Sequence, residues 1–547
     1  MCVFLLLGYA AAANPLARIY TADDPLFTWV DRLAMESGSL IVSSAGPWSA
    51  YELYGYLMGI DRGRLSPQGQ ETWHALEQRL LYPYGTDKAE GLLADGGINL
   101  ALEVYLQSNE GEVDERDWVY DWKQRAGIGS IYGEAVIGDY LYGILDIEAK
   151  KSRYRNDDDI YAGRINTNIE LREYYLENRT PATAFAAHSG AHHSFIFGRE
   201  TLSWGRGYTG TLLIGDHADF HDFLQFSAYQ EGLKYSAVAM HFDTIRSSGK
   251  RAEFLNFADD IRLFTAHRLE FNITPAVRFA ATETALFLAP RLDLRMFSPM
   301  MYLHNYWNRR GSAGDFFDEV KNAFQFELEV RLAPGVHAYS QLFLDQLQTQ
   351  GEIDHLGGKD DMPPPAYGAL AGITYALPWR SGYITGYLEG VYTSPFLYLP
   401  GGTGDDYNLA YIRANRIRSG SGLGFIGYRH GPDSVIAGAQ IGYEEYRRFA
   451  LFGSILFGLQ GEKGLYIHGK DQQMESGSDV FGLTSPTGIP EYLLIGGIGG
   501  EVFIPGTHIL LYGQMHAVTR WNSGHETGNT FFDIQGVLGA SYSLSVL

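Results

Sequence analysis

Residues 324–345 read FQFELEVRLAPGVHAYSQLFLD. Phe324, Phe326, Leu328, Val330 and Leu332 alternate with Gln325, Glu327, Glu329 and Arg331. After Ala333-Pro334-Gly335, Val336, Ala338, Ser340, Leu342 and Leu344 alternate with His337, Tyr339, Gln341 and Asp345. A period of two sends the apolar and polar sets to opposite faces of a strand. Pro-Gly between two such runs is a hairpin turn. Each arm runs about nine to eleven residues, longer than the five or six of a globular sheet and long enough to cross a bilayer at a tilt.

The same pattern recurs outward from this hairpin. Leu100, Leu102, Val104 and Leu106 alternate with Glu103, Tyr105 and Gln107, and Ile165, Thr167, Ile169 and Leu171 alternate with Arg164, Asn166, Asn168, Glu170 and Arg172. A second hairpin runs Leu269, Phe271, Ile273, turns near Thr274-Pro275 and returns through Val277 and Phe279. Further tight turns are expected at His430-Gly431-Pro432-Asp433 and Pro505-Gly506-Thr507. Short Pro/Gly turns alternate with longer polar connections such as 348–365 and 468–488, the asymmetry of an outer-membrane barrel. The expected fold is an all-β antiparallel transmembrane barrel of about 16–18 strands, carrying a small N-terminal helical segment. A soluble sandwich or propeller is the alternative, because alternation alone does not say which face is wet.

Composition agrees with strands and turns. The 547 residues include 65 Gly, 37 Tyr and 30 Phe, and charged residues make up only 19%. A net charge of −22 makes nucleic acid an unfavourable partner. One cysteine, Cys2, excludes disulfides and cysteine-based zinc sites. Residues 1–13 read as a signal peptide, with an apolar run ending in the small residues Ala11 and Ala13. No other apolar run is long enough for a membrane helix. Residues 14–97 are expected to be helical, with starts at Asp24-Pro25 and Ser66-Pro67. Leu26, Val30 and Leu33 form one stripe, and Trp73, Leu76 and Leu80 the next. The barrel is expected over 98–547.

The most distinctive stretch is Gly198-Arg199-Glu200-Thr201-Leu202-Ser203-Trp204-Gly205-Arg206-Gly207-Tyr208, leading into Leu212-Leu213-Ile214-Gly215-Asp216-His217-Ala218. Gly205 and Gly207 around an arginine suit a bent segment where backbones approach closely. No phosphate-cradling Gly-Lys-Ser/Thr follows, so it is not a nucleotide loop. This run resembles the capsule-assembly Wzi-like family of outer-membrane barrels, although Arg206 stands where the family usually has proline. Leu65-Ser66-Pro67-Gln68-Gly69, His267-Arg268-Leu269-Glu270-Phe271 and Ser298-Pro299-Met300-Met301-Tyr302-Leu303-His304-Asn305 agree with the resemblance. It implies an 18-stranded barrel with a periplasmic helical bundle that retains capsular polysaccharide or exopolysaccharide at the cell surface, as a lectin and not an enzyme.

Sugar binding needs flat apolar faces and planar polar groups. Trp204 with Arg206, and His304, Trp307, Arg309 and Arg310, supply them; aromatic girdle and lumen salt bridges are their bland alternative. Asp216, His217, Asp219, His221 and Asp222 are a dense ligand-type cluster, read as a solvated loop in preference to a cation site. His188, His192 and His193 are likewise read as a short histidine run without metal. No Gly-x-Ser-x-Gly elbow or His-Glu-x-x-His motif is present, and no cofactor is expected. The expected partners are surface polysaccharide and outer-membrane lipid, the expected location is the outer membrane, and a passive or selective channel is the alternative function. A lectin calls for a plugged lumen and a channel for an open one.

Overall fold

A computed structural model of the chain describes residues 13–83, 91–109, 118–150, 164–169, 183–244, 246–247, 252–253, 260–298, 319–347, 364–399, 407–417, 420–464 and 480–545. Eighteen antiparallel strands close into one barrel. In chain order they are β1 (Leu92–Gln107), β2 (Gly129–Ile137), β3 (Leu141–Ala149), β4 (Thr183–Gly190), β5 (His193–Glu200) and β6 (His221–Gln230). There follow β7 (Leu233–Phe242), β8 (Ile261–Thr274), β9 (Val277–Ala289), β10 (Glu319–Ala333), β11 (Val336–Gln346) and β12 (Ala366–Trp379). The last six are β13 (Gly382–Thr393), β14 (Ser434–Glu445), β15 (Phe449–Gln460), β16 (Glu491–Phe503), β17 (Ile509–Trp521) and β18 (Thr530–Ser545). Neighbours in sequence are neighbours in the wall, and β18 closes the circle on β1, with Ser545 opposite Gly97.

The hairpin at 324–344 is β10 and β11. Phe326 pairs with Leu342 on one face and Glu327 with Gln341 on the other. Gly335 makes the turn at φ +77°, where a Cβ would lie 2.8 Å from the Ala376 carbonyl oxygen. The apolar face points out of the barrel: Phe326, Leu328 and Leu342 are exposed, whereas Gln325, Glu327, Glu329 and Gln341 are buried. The same sense holds around the wall, with Ile131, Ile441, Ile498 and Leu538 each about 60% exposed. So broad an apolar band on a folded surface is stable only against lipid. Two expected strand features differ. Of the 164–172 run, residues 164–169 are described, and among them Ile165–Thr167 is extended and pairs as a short side piece on Val104–Leu106 of β1. The turn at 430–433 joins no hairpin; it ends the connection 394–433 and feeds β14.

Three helices precede the barrel: α1 (Pro25–Ser37), α2 (Ala50–Met58) and α3 (Pro67–Leu81). The Asp24 carboxylate accepts the Leu26 amide and the Ser66 hydroxyl the Gly69 amide, with proline next at the first helical position in both cases. α2, not anticipated from the sequence, is capped by Ser49 on the Glu52 amide. Leu26, Val30, Leu33, Leu53, Leu57, Trp73, Leu76 and Leu80 form one core, completed by Ala376 and Tyr383 of the barrel wall. The bundle therefore packs on the barrel's short-turn end. The Gly335 amide donates to the Met35 carbonyl at 2.7 Å, and Arg32 grips both oxygens of Glu444 at 2.5 and 2.8 Å. Among the described residues no helix is long and apolar enough to cross a membrane.

The outward face generates a direct test. Ile498, mid-strand on β16 and 59% exposed, is expected to tolerate leucine but to lose about 2–4 kcal/mol on Ile498→Arg, measured by denaturant titration in lipid vesicles. An unchanged unfolding free energy argues against lipid at that position.

Candidate functional site: a lumen closed by the Trp204–Arg206 segment

The connection 201–220 leaves β5 at the end of the barrel opposite the helices and turns inward. Gly205 sits at φ +98°, and a Cβ there would lie 2.6 Å from Gln341 Nε2. A Cβ on Gly207 would lie 2.0 Å from the Gly210 carbonyl oxygen. Both glycines are thus required by close approach, and the bent segment expected from the sequence is present. Trp204 is fully buried, bridging in β fashion to Ala45 on one side and Ile214 on the other. Ala45 belongs to the segment between α1 and α2, so chain entering from the helical end meets chain entering from the long-connection end inside the lumen. The Gly46 amide donates to the Ser203 carbonyl at 3.2 Å.

Arg206 fixes this meeting point. Its Nη1 and Nη2 donate to the two carboxylate oxygens of Asp31 on α1, at 2.7 and 2.9 Å, and its Nε donates to Glu329 on β10 at 3.1 Å. One guanidinium therefore joins helix, plug and wall. Burial works to lower the Arg206 pKa, but Asp31 and Glu329 outweigh it and hold the group well above its usual value. For Asp31 burial works to raise the carboxyl, and Arg206 outweighs it, leaving the pKa below its usual value. Further buried pairs fasten the helical bundle to the inner wall. Lys234 of β7 donates to Glu52 of α2 at 2.7 Å and to the Ala45 carbonyl at 2.8 Å. The Ser43 hydroxyl donates to Glu270, which also faces Arg268 and Arg278.

The described residues of a second connection, 394–399, 407–417 and 420–433, add to the plug. The Tyr398 hydroxyl donates to the Leu212 carbonyl and accepts the Tyr428 amide, and the Gly215 amide donates to the Ile426 carbonyl at 2.9 Å. Trp204, Leu212, Leu213, Ile214, Tyr398, Tyr411, Ile426 and Tyr428 form one buried apolar core inside the barrel. The sequence carried a signal for this that the strand reading passed over: Phe396-Leu397-Tyr398-Leu399 is too apolar for a solvated connection.

The placement of the expected glycan residues follows. Trp204 and Arg206 come together, but buried in the plug and engaged with Asp31 and Glu329, so neither meets solvent in this conformation. His304, Trp307, Arg309 and Arg310 lie outside the described residues. The 216–222 cluster diverges: Asp216 is exposed, His217 bonds the Phe425 carbonyl, His221 is buried and Asp222 pairs with Arg199 at 2.6 Å. Burial, then Arg429, lowers His217 to about 4, so it is neutral at physiological pH. His188 and His193 touch at 3.2 Å, with His192 exposed beside them. Among the described residues no group of three or more metal-ligating side chains converges.

Removing one partner of a buried ion pair leaves an uncompensated charge and costs about 3–5 kcal/mol. Arg206→Ala is therefore expected to accelerate hydrogen exchange at 201–215 and 38–49 while the wall strands keep their protection. Acid should act through the same pair. A carboxyl with a depressed folded pKa contributes fully above its ordinary value of 3.8 and loses that contribution as the pH falls through the folded value. Exchange at these segments should accelerate below pH 3.8 in the wild type, with a smaller acid step in Asp31→Asn; the same step in both excludes Asp31 as its source.

No protein-family model matches the chain, and no curated protein matches its sequence. Among solved structures, Wzi, an outer membrane protein involved in group 1 capsule assembly in Escherichia coli and a carbohydrate-binding β-barrel, superposes with a TM-score of 0.55 at 14% identity. The match covers 98% of this chain and 100% of that one. Pseudomonas aeruginosa OpdQ and OprD superpose with TM-scores of 0.41, each at 9% identity, over 83% and 84% of this chain and 98% and 97% of theirs. The chain has the Wzi-like fold, a closed 18-stranded outer-membrane barrel.

Proposed function

We propose that this protein resides in the outer membrane and binds and retains surface polysaccharide there, without catalysing a reaction. The single observation that carries the reading is the plug. A barrel that conducts solutes keeps a wet passage from end to end, whereas here Trp204, Tyr398 and Tyr428 meet in a buried apolar core that obstructs the lumen. A structure spent on closing the barrel leaves the connections at the long-loop end as the surface for a partner. The likeness to Wzi along its whole length supports a carbohydrate as that partner. The helical bundle, seated on the short-turn end, is assigned to the periplasm, because short turns lie on that side in outer-membrane barrels.

The test is parallel measurement of polysaccharide binding and planar-bilayer conductance on the purified full-length protein in detergent. Retention of capsular or exopolysaccharide with negligible conductance is the expected result, and Arg206→Ala should raise conductance by freeing the plug. Steady conductance in the wild type without retention of any polysaccharide overturns the reading in favour of a channel.

A further inference from the structure

The plug does not fill the whole cross-section. Along β12–β17 one register row of inward residues runs Thr374, Tyr387, Gln440, Ser454, Gly497 and His516, each the direct cross-strand partner of the next. Adjacent members are one strand spacing apart, about 4.8 Å, so polar side chains follow one another closely from Thr374 to Ser454. Tyr387, Gln440 and Ser454 are only half-buried, although they face the inside of the barrel, whereas Gln225, Gln325 and Gln341 on the wall behind the plug are fully buried. Water therefore borders this part of the lumen.

Tyr208 stands at the edge of that space. It is 44% exposed, while Arg206 and Thr209 on either side are buried. Its ring lies parallel to Tyr387 at 4.5 Å and 11°, its hydroxyl bonds Thr374 at 2.7 Å, and its amide donates to Glu389 at 2.9 Å. The aromatic pair is thus held in one orientation before any ligand arrives. A fixed aromatic face beside amide and hydroxyl groups is the arrangement that takes the apolar face of a sugar ring while bonding its hydroxyls. Charge narrows the choice. Glu501, on the same inner wall and exposed, disfavours a uronate or other anionic sugar.

We infer that the exposed side of the Tyr208 ring, backed by Tyr387, and the adjoining row through Gln440 and Ser454 form a luminal groove for uncharged hexose units. The inference rests on the polysaccharide-binding reading and names the class of sugar it takes inside the barrel. The groove lies beside the plug and shares its anchor, since Glu389 holds both the Tyr208 and the Thr209 amides.

The experiment is isothermal titration of the full-length protein in detergent with maltohexaose, an uncharged glucose oligomer, and with a hyaluronan hexasaccharide as the uronate-bearing probe of equal length. Maltohexaose is expected to bind and the hyaluronan oligomer to fail. Tyr208→Ala should weaken maltohexaose about tenfold, and Tyr208→Phe, which keeps the ring and loses the Thr374 bond, about threefold or less. Unchanged heat-modifiable gel mobility establishes that each variant is folded. No maltohexaose binding by the wild type, or unchanged binding by folded Tyr208→Ala, overturns the groove, and equal binding of the hyaluronan oligomer overturns its selectivity for uncharged sugar. Wild-type retention of whole polysaccharide alongside a failed groove leaves the proposed function standing, whereas loss of both removes both.

Discussion

Eighteen strands enclose more space than their own inward side chains can fill. A barrel of this size must therefore admit water along its axis or bring in chain from elsewhere, and this protein brings in chain from both ends. The segment between α1 and α2 enters from the helical side, and the connections 201–220 and 394–433 enter from the other. The rest of the architecture follows from that choice. Inward polar residues of β6–β11 that would otherwise face water must find partners on the plug, and the plug must carry an apolar core of its own to hold together inside a polar tube. Trp204, Leu212 and Tyr398 provide that core. Gln341 provides the seam, its side chain accepting the Leu212 amide and donating to the Arg206 carbonyl.

Buried ion pairs are a poor source of net stability, because the cost of desolvating both charges rivals their attraction. Their use here is better understood as registry. Arg206 has carboxylates from α1 and from β10 on separate nitrogens, and only one placement of the loop satisfies both. An apolar side chain at the same place would pack in many positions; a bidentate guanidinium does not. Arg206, which stands where the resembling motif usually has proline, thus falls where helix, plug and wall converge. The bundle is located by the same logic at its other contacts, Arg32 on Glu444 and Lys234 on Glu52.

The wall was legible because a strand that faces lipid on one side and a polar interior on the other has to alternate, and the 324–344 hairpin does so along both arms except at Phe343, an apolar residue on the inner face. The helix starts at Asp24 and Ser66 were legible for a local reason, an acceptor side chain followed by proline. The first strand begins at Leu92, ahead of the change of period at 98, because Asp95-Gly96-Gly97 supplies no apolar face to count. The plug was the opposite case. Trp204 and Arg206 stood out by composition, but nothing local says whether a tryptophan beside an arginine faces solvent or a partner. The answer depends on Asp31, Ala45 and Glu329, which are distant in sequence and meet only when the barrel closes. The buried tyrosines 398, 411 and 428 were hidden for the same reason, in a connection too long to carry a period.

Filling the lumen from two ends also explains why the filling is uneven. The helical segment fastens where the wall offers charges: Lys234, Glu270 and Glu444 on β7, β8 and β14, and Glu134 on β2, which pairs with Arg18. The wall beyond β14 is built differently: β16 places Gly497 and Gly499 on the inner face, and the space over them is taken by His516 and Phe452. Glycine presents no side chain with which to grip a plug, and the half-buried Gln440 and Ser454 on the neighbouring strands border water. Tyr208 marks the boundary between the two regimes, tied on one side to Glu389 and Thr374 and open on the other to water. A rigid aromatic edge along a wet polar wall is a consequence of where the anchors were placed, and it gives a closed barrel an interior surface on which a ligand can still be held.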